Sequence, residues 1–574
     1  MTETSDTSGS AKSSARISLA CVPCRDRHMR CDAVMPACSR CVTEKKQCVY
    51  LKSRRGGRRR LQQPTELPSQ ASREPWNWTR TEGSMGNVDE LVATPISSDD
   101  SSDPDQLLQC YYSYFHAAHP CVLPYRFLKR RLTTEPETLQ LLFLVMQYIG
   151  ANFTVAIQSI SPATRIQEFL ASFHARQPRF TGFDVQAVLL FSIAVYWCDE
   201  IDHGLRFLDE AIQMALKLGM NQKRFSAQYG QGDPVLEESW RRTWWMIYIA
   251  DAHMAGSTHT YPLRTTNIPM TVDMPCEEHD YESGQIPQPK SLQEYDMREF
   301  LPEDKQGFSS FAELIGLTRG IGLALAPGRS PEDPIQHSSM CANADTSIAA
   351  WYSLLPPSKR NAVRRDGSLD ELLCKANFIL HAYTVEMHRQ LSSLAYSPVE
   401  ALCKCSPPPP PEAQRGCNNL ETQTHTFKCL KAIEKLNNLM TVPINIATHT
   451  PFIICMIANA TIAHLSACRY IYQGVQLELS REKIRLSMGT LKIMSEYWLQ
   501  GKRIYQEVGI IAREILCLRD QHFSAVVPTE GSEREALEPL PPDFGLGGVT
   551  DFYDLFDFNF RNSISVNGVD HSGG

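Results

Sequence analysis

Apolar residues recur at helical spacing along most of the chain. One stripe ends just before Gly219, which is predicted to cap its helix, and another is predicted to break at Gly501. The stripes are Leu205, Leu208, Ile212, Ala215 and Leu218; Trp240, Trp244, Ile247, Met254 and Ala255; and Leu491, Met494, Trp498, Tyr505 and Val508. Strand-like alternation is scarce, so the pattern predicts a large all-α region.

This helical region is predicted to span residues 105–520, since Asp-Pro-Asp at 103–105 is typical of a helix start. Prolines predict two long surface loops, around 327–334 and from 398 to 417. Residues 436–468 contain no Asp, Glu, Lys or Arg, but prolines and polar residues interrupt the run. The run therefore predicts a buried helix rather than a membrane span, and no membrane partner is expected.

The remaining segments differ in composition. Residues 1–15 are polar, and residues 53–104 are first basic and then rich in Ser and Pro without a heptad pattern, which predicts a disordered tail and linker. The last segment, 521–574, is acidic and aromatic. Eight acids and one base lie between Glu530 and Asp557. It is predicted to be a second disordered tail.

Charge is unevenly distributed. The chain has a net charge of -7, but residues 16–60 hold thirteen Lys or Arg against three acids, a net of +10 that leaves -17 for the remainder. A short basic segment on an acidic chain indicates a local contact with nucleic acid.

Six of the nineteen cysteines form a repeat within this basic segment. They are Cys21, Cys24, Cys31, Cys38, Cys41 and Cys48. Their gaps of two, six, six, two and six residues mean that a shift of 17 positions maps the first three onto the last three. The other thirteen are scattered, mostly among apolar residues, which is typical of buried thiols in a reducing compartment.

The repeat predicts two zinc ions. Each Zn²⁺ takes four ligands, so two ions need eight bonds from six sulfurs, and two thiolates must bridge. The internal symmetry assigns the bridges to Cys21 and Cys38. One ion then takes Cys21, Cys24, Cys31 and Cys38, and the other takes Cys38, Cys41, Cys48 and Cys21. The alternatives are a disulfide framework, which conflicts with the reducing cysteine pattern, and six unrelated cysteines, which leave the repeat unexplained.

The spacing and its flanks resemble the zinc binuclear cluster of fungal transcription factors. The basic segment from Cys24 to Asp32 and the position of Pro36 also match. The resemblance implies a small DNA-binding domain at residues 16–52 with two short helices. In that family a short helix after the second cysteine enters the major groove of double-stranded DNA, typically at a CGG triplet.

The family's base-contacting positions fall on Arg27 and His28. An arginine fork bonds guanine O6 and N7 together, whereas His28 stands where lysine is often found and donates more weakly. Further phosphate contacts are expected from residues of the cluster and of the basic run that follows it. These residues are Arg25, Arg30, Lys45, Lys46, Arg54, Arg55, Arg58, Arg59 and Arg60. The basic run from Lys52 to Arg60 is also a candidate nuclear-import signal.

The helical region resembles the fungal-specific transcription factor domain. The resemblance rests on Glu238 to Trp245, on His119-Pro120 and on Thr181 to Ala187, and it implies an all-helical regulatory domain. In the acidic tail, acids alternate with large apolar residues, which predicts an activation segment that binds a coactivator or the general transcription machinery. Its candidate residues are Phe552, Tyr553, Leu555, Phe556 and Phe558.

These features predict a nuclear, sequence-specific activator of RNA polymerase II transcription that controls a metabolic or secondary-metabolite pathway. A repressor or DNA-bound scaffold is the main alternative, and a zinc or redox sensor is a weaker one. No enzyme is expected, since the chain has no P-loop, nucleophile elbow or zinc-protease motif. A homodimer and a monomer on one triplet both stay open.

Overall fold

The computed structural model describes residues 22–25, 31–32, 34, 37–44, 48, 104–154, 164, 168–173, 180–302, 306–327, 334–407, 420–443 and 445–524. The chain divides into two compact units, residues 1–92 and 93–574. The first contains the cysteine segment and the second contains the helical region. The predicted N-terminal tail, nearly all of the linker and the acidic tail lie outside the described residues.

Both units are helical where they are described. The first has two short helices, as predicted, α1 (Val22–Arg25) and α2 (Ser39–Thr43). The second has α3 (Pro104–Tyr114), α4 (Tyr125–Thr134), α5 (Pro136–Ala151), α6 (Gly182–Trp197), α7 (Ile201–Leu218), α8 (Lys223–Tyr229), α9 (Pro234–Thr258), α10 (Glu278–Ser283), α11 (Leu292–Asp296), α12 (Ser310–Leu325), α13 (Pro334–Leu354), α14 (Glu371–Arg389), α15 (Leu420–Leu439), α16 (Ile453–Tyr470), α17 (Gly474–Met494) and α18 (Leu499–Ser524). The described residues contain one isolated bridge, between Val363 and Leu369, and no sheet. The predicted all-α class is confirmed.

The second unit, which we call the helical body, is built largely from helices that pack against near neighbours in sequence. The main pairs are α3 with α5, α6 with α7, α12 with α13, α14 with α15, and α16 with α18. Short connections favour such local pairing. Most of its buried apolar residues form one core, in which Trp197, Trp244, Trp245 and Trp498 are fully buried.

Local sequence sets several helix ends. Gly219 has a φ of +79° and follows α7, so the predicted C-cap is present. Asp233 begins α9, where its carboxylate accepts a hydrogen bond from the Val235 amide at 3.0 Å and Pro234 occupies the first turn. These caps satisfy backbone groups that a helix end leaves without partners.

The predicted break at Gly501 is wrong. This glycine lies inside α18, and the chain instead turns at residues 495–498 between α17 and α18. A Cβ atom at position 501 would lie 3.0 Å from the Ile454 Cδ1 atom of α16. The glycine therefore permits the close approach of two helices and does not end one.

The predicted surface loop at 398–417 is also wrong over its first part. Residues Pro398–Leu402 form a 3-10 helix, and Cys403 and Cys405 are buried. The Glu400 carboxylate holds this turn in place through a buried ion pair with Arg389 at 2.9 Å. Residues 408–417 and most of the other predicted loop lie outside the described residues.

The run at 436–468 without Asp, Glu, Lys or Arg overlaps α16, the one helix among the described residues that is long and apolar enough to cross a membrane. Within the helical body, 83% of its apolar window is buried. Helices α14, α17 and α18 pack against it. Its apolar surface is therefore already covered by protein, in agreement with the buried helix that the sequence predicts.

The three segments that carry the regulatory-domain resemblance meet at one corner of the helical body. The Gln186 side-chain amide of α6 donates to the Cys121 carbonyl at 2.9 Å and to the Thr243 hydroxyl at 2.8 Å. The Ser239 hydroxyl of α9 donates to the same Cys121 carbonyl at 2.8 Å. The corner that follows His119 and Pro120 is thus bonded to both α6 and α9.

A buried ion network strengthens the same corner. Arg242 is fully buried and donates to Glu238 at 2.8 Å, to Glu278, and to the carbonyls of Pro120 at 3.3 Å and Cys276 at 2.8 Å. Burial alone would raise the pKa of the Glu238 carboxyl, but the neighbouring guanidinium groups hold it below its usual value. Residues of the segment from Glu238 to Trp245 therefore do more than fill the core.

We predict that Arg242→Ala lowers the free energy of unfolding by about 3–5 kcal/mol, because it leaves the Glu238 charge buried without its main partner. Urea unfolding followed by far-ultraviolet circular dichroism measures the change. Arg485→Ala is the matched control. Its side chain is 66% exposed, so the same truncation should change the unfolding free energy by less than about 0.5 kcal/mol. Equal stability of the two variants would contradict this role.

Candidate metal centre

Two short helices position three of the predicted metal ligands. Cys24 lies in α1, and Cys41 lies in α2. Cys38 is the N-cap of α2, and its sulfur accepts a hydrogen bond from the Cys41 amide at 3.4 Å. A helix N-terminus favours negative charge, so the backbone of α2 supports a thiolate at Cys38.

The sulfurs of these three cysteines lie at separations that suit a metal cluster in which Cys38 is close to both Cys24 and Cys41. Cys24 Sγ and Cys38 Sγ are 3.7 Å apart, and the Cys41 sulfur lies within 4.8 Å of both. Zinc–thiolate bonds of about 2.3 Å in a tetrahedron place neighbouring sulfurs about 3.8 Å apart, whereas a disulfide bond is about 2.05 Å long. All three cysteines are buried. The geometry therefore fits tetrahedral zinc and not a Cys24–Cys38 disulfide.

Cys38 occupies a central position among the described cysteines. It belongs to a second potential ligand group with Cys31 and Asp32, whose ligand atoms also lie within 4.8 Å of one another. Its backbone amide donates to the Cys48 sulfur at 3.3 Å. Cys38 thus contacts or approaches ligands from both halves of the repeat.

Asp32 is a neighbour of the centre whose structural role the sequence analysis missed. Its carboxylate accepts hydrogen bonds from the Ser39 amide at 3.1 and 3.3 Å. Hydrogen bonding by Ser39 holds the pKa of the Asp32 carboxyl below its usual value. Asp32 therefore ties the segment after Cys31 to the first turn of α2. The signal in the sequence is its position directly after the third cysteine.

The structure describes five of the six predicted ligands, and Cys21 lies outside the described residues. Arg25 belongs to α1, but its side chain is not described. The other predicted DNA contacts, Arg27, His28, Arg30, Lys45, Lys46, Arg54, Arg55, Arg58, Arg59 and Arg60, lie outside the described residues. The same holds for Phe552, Tyr553, Leu555, Phe556 and Phe558 of the candidate activation segment.

Cysteines of the helical body provide a contrast. Cys121 is completely buried among apolar side chains, and this burial raises its pKa to about 12. Burial likewise raises the pKa of Cys110. These groups stay protonated at neutral pH, whereas a zinc ligand must be a thiolate.

Comparison with protein families agrees with this division of the chain. The fungal Zn(2)-Cys(6) binuclear cluster domain matches residues 19–57, and the fungal specific transcription factor domain matches residues 108–406. The chain belongs to this family of fungal transcription factors. It is therefore a DNA-binding regulator of transcription with an N-terminal zinc-binding domain.

Two curated relatives extend the match. The C6 finger domain transcription factor iacK of Pestalotiopsis fici is 28% identical over 563 residues, which cover 88% of this chain and 81% of the relative. Cutinase transcription factor 1 alpha of Fusarium vanettenii is 22% identical over 415 residues, which cover 70% of this chain and 42% of the relative. No solved structure matches the chain.

We predict that Cys38→Ser removes zinc from the purified full chain, because its sulfur is close to ligands of both halves. Elemental analysis after gel filtration should find about two zinc ions in the wild-type chain and almost none in the variant. Cys110→Ser, an equally small change at a buried cysteine of the helical body, should retain them.

Complete removal of zinc by a chelator should abolish DNA binding. Zinc content unchanged by Cys38→Ser would contradict the assignment, as would DNA affinity that survives zinc removal.

Proposed function

We propose that the chain is a nuclear, sequence-specific activator of RNA polymerase II transcription and that it acts as a regulator rather than as an enzyme. The observation that carries this proposal is the grouping of cysteine sulfurs around Cys38. It lies inside the segment that matches the DNA-binding domain of the family, residues 19–57. The strong positive charge of residues 16–60 agrees with a contact to DNA phosphates.

Two zinc ions would be held by the six cysteines, with the Cys21 and Cys38 sulfurs shared. Among the described residues, the Cys38 sulfur is close to that of Cys24, a ligand of one predicted ion, and to that of Cys41, a ligand of the other, which supports its place as a bridge. When bound, the ions supply the cross-links that a segment of this size cannot obtain from an apolar core. The protein's own contribution is to hold the ligands in place, through α1, α2 and the hydrogen bonds of Asp32.

The base-reading surface would be the first half of the repeat. Arg27 would bond O6 and N7 of a guanine in a CGG-like triplet, and His28 would donate to a neighbouring acceptor. The repeat supports this asymmetry, because its shift of 17 residues maps Arg27 onto Glu44, an acid unsuited to guanine. Residues that would contact phosphates are Arg25, Arg30, Lys45, Lys46, Arg54, Arg55, Arg58, Arg59 and Arg60.

The remaining segments would follow the boundaries that the sequence predicts. Residues 16–52 would be the DNA-binding domain, 53–104 a linker and 105–520 the regulatory domain. The segment 521–574 would carry the activation function through a coactivator or the general transcription machinery. One relative is named for cutinase transcription, which agrees with control of a metabolic pathway.

We predict that Arg27→Ala weakens binding to a CGG-containing duplex by about 1–3 kcal/mol and leaves binding to a scrambled duplex almost unchanged. Fluorescence anisotropy with the full chain at one fixed salt concentration measures both affinities. Arg40→Ala is the control, since Arg40 is exposed in α2, in the second half of the repeat. It should weaken binding to both duplexes to the same small extent.

A third variant tests the second base contact. His28→Lys should increase the preference for CGG, because a lysine donates to guanine more strongly than a neutral imidazole. If the wild-type chain bound CGG and scrambled duplexes equally, the assignment of base reading to Arg27 and His28 would be wrong.

We further predict that residues 530–574 activate a reporter gene when they are fused to an unrelated DNA-binding domain. Changing Phe552, Leu555 and Phe556 together to Ala should remove most of this activation, because a coactivator would bury these side chains. The matched control changes Ile564, Val566 and Val569 to Ala, outside the acidic run. A fusion without reporter gain would favour a repressor or a DNA-bound scaffold.

A further inference from the structure

A large cavity lies in the helical body, away from the cysteine segment in sequence. Its volume is about 800 Å³, within the roughly 300–1,000 Å³ that is typical of small-molecule sites. Residues of α6, α7, α9, α16 and α18 line it, together with the segment 396–407. Because these elements are distant in sequence, the cavity is a product of tertiary packing.

The wall formed by residues 396–407 is held in place by the protein itself. Glu400 is buried and paired with Arg389, and it also accepts a hydrogen bond from the Ser397 amide at 2.9 Å. Just before this segment, the Ala395 carbonyl accepts a hydrogen bond from the Ser466 hydroxyl of α16 at 2.7 Å. A ligand would therefore not have to order this wall, which lowers the cost of binding.

Charge in the cavity wall favours a neutral ligand. Arg503 forms ion pairs with Asp199 and, at 3.5 Å, with Glu507. Lys404 and Asp202 add one charge of each sign to the lining. The positive charge of Arg503 is thus already balanced within the protein, and a carboxylate or phosphate would have to compete with Asp199 and Glu507 for it.

Two lining residues hold buried hydrogen-bond acceptors without a partner among the described residues. His259 Nδ1 lies 3.0 Å from a carboxylate oxygen of Glu386, so in the tautomer that carries its ring proton on Nδ1 the Nε2 atom is an acceptor. Both this Nε2 and the Gln500 Oε1 atom are buried and have no hydrogen-bond partner, so a small rotation of each side chain would have to present them to a ligand. A complementary ligand would bring hydroxyl donors.

We propose that this cavity binds a neutral phenolic small molecule. Its hydroxyl groups would donate to His259 Nε2 and Gln500 Oε1. Its aromatic skeleton would pack against Tyr196, Leu205 and Ile504, which line the same cavity. Such a ligand would contact α6, α7 and α18 together with the end of α9, and it would stabilise the helical body by mass action.

The probe is trihydroxystilbene (resveratrol), a neutral phenol, and its trimethyl ether is the matched compound without donors. Isothermal titration calorimetry uses the purified full chain with no DNA present. We expect saturable binding of one trihydroxystilbene per chain and at least about tenfold weaker binding of the ether, because it leaves both acceptors without donors. No saturable binding of the trihydroxystilbene, or equal binding of both compounds, would overturn the proposal.

Two variants localise the binding. Leu205→Trp fills part of the cavity from a partly buried position of α7 and should weaken trihydroxystilbene binding by about tenfold or more. Leu323→Trp is the control, since Leu323 is 65% exposed and does not line the cavity. Gln500→Met keeps the side-chain length but removes an acceptor. It should weaken only the hydroxylated probe. Wild-type affinity in both Leu205→Trp and Gln500→Met would overturn the site.

Failure of the cavity proposal can be distinguished from failure of the proposed DNA-binding function. Arg27→Ala should lose preference for CGG and keep wild-type affinity for trihydroxystilbene, because the cavity belongs to the other unit of the chain. Leu205→Trp should show the reverse pattern, provided that its far-ultraviolet spectrum and its melting temperature match those of Leu323→Trp. If Leu205→Trp does not fold, the Gln500→Met comparison decides the proposal.

Discussion

The N–H groups of a buried guanidinium need hydrogen-bond acceptors. In the helical body, the elements around Arg242 must therefore supply acceptors to its side chain. Its partners come from three parts of the chain: Pro120 after α3, Glu238 on its own helix α9, and residues 276–278 at the start of α10. Apolar burial supplies the larger free energy, but it has no direction. The ion network therefore fixes how α9 lies against the corner at residues 119–122.

In the cysteine segment, a different kind of interaction fixes the placement of the elements. Its buried residues, among those that the structure describes, are Cys24, Cys38 and Cys41, and no apolar side chain accompanies them. Directional bonds to metal take the place of a core, because so short a segment cannot bury enough apolar area. Within one chain, one unit is organised by packing around a buried ion pair and the other by thiolate ligands.

Much of this organisation was predictable where a local signal has one physical meaning. Gly219 after an apolar stripe predicts a C-cap, and the spacing of the cysteines predicts a metal centre. Gly501 misled because a glycine inside a helix serves close packing as well as helix ending, and only the position of Ile454 distinguishes the two. The buried turn at 398–402 was missed because it lies between Pro398 and the run of prolines at 407–411, a composition typical of loops, whereas its anchor, Arg389, lies on α14.

The cavity and the Asp32 contacts were not predictable for a different reason. A cavity between five helices depends on side chains far apart in sequence, and its empty volume leaves no periodic pattern. The position of Asp32 directly after the third cysteine is a sequence signal, but it does not name a partner, and the role of Asp32 becomes evident only from the hydrogen bond that its carboxylate accepts from the Ser39 amide. Sequence patterns report what a residue is next to along the chain, whereas these features depend on what it meets in space.

The placement of the tryptophans gives the helical body an optical signal that the cysteine segment lacks. No tryptophan lies between residues 19 and 57, whereas Trp197, Trp244 and Trp498 are buried in the helical body. Their indole nitrogens have no hydrogen-bond partner among the described residues. Such dry indoles emit at short wavelength. In a chain with Trp76 and Trp78 of the first unit changed to Phe, intrinsic fluorescence would follow the helical body. The absorbance of thiolates bound to cobalt in place of zinc would follow the cysteine segment in the same cuvette.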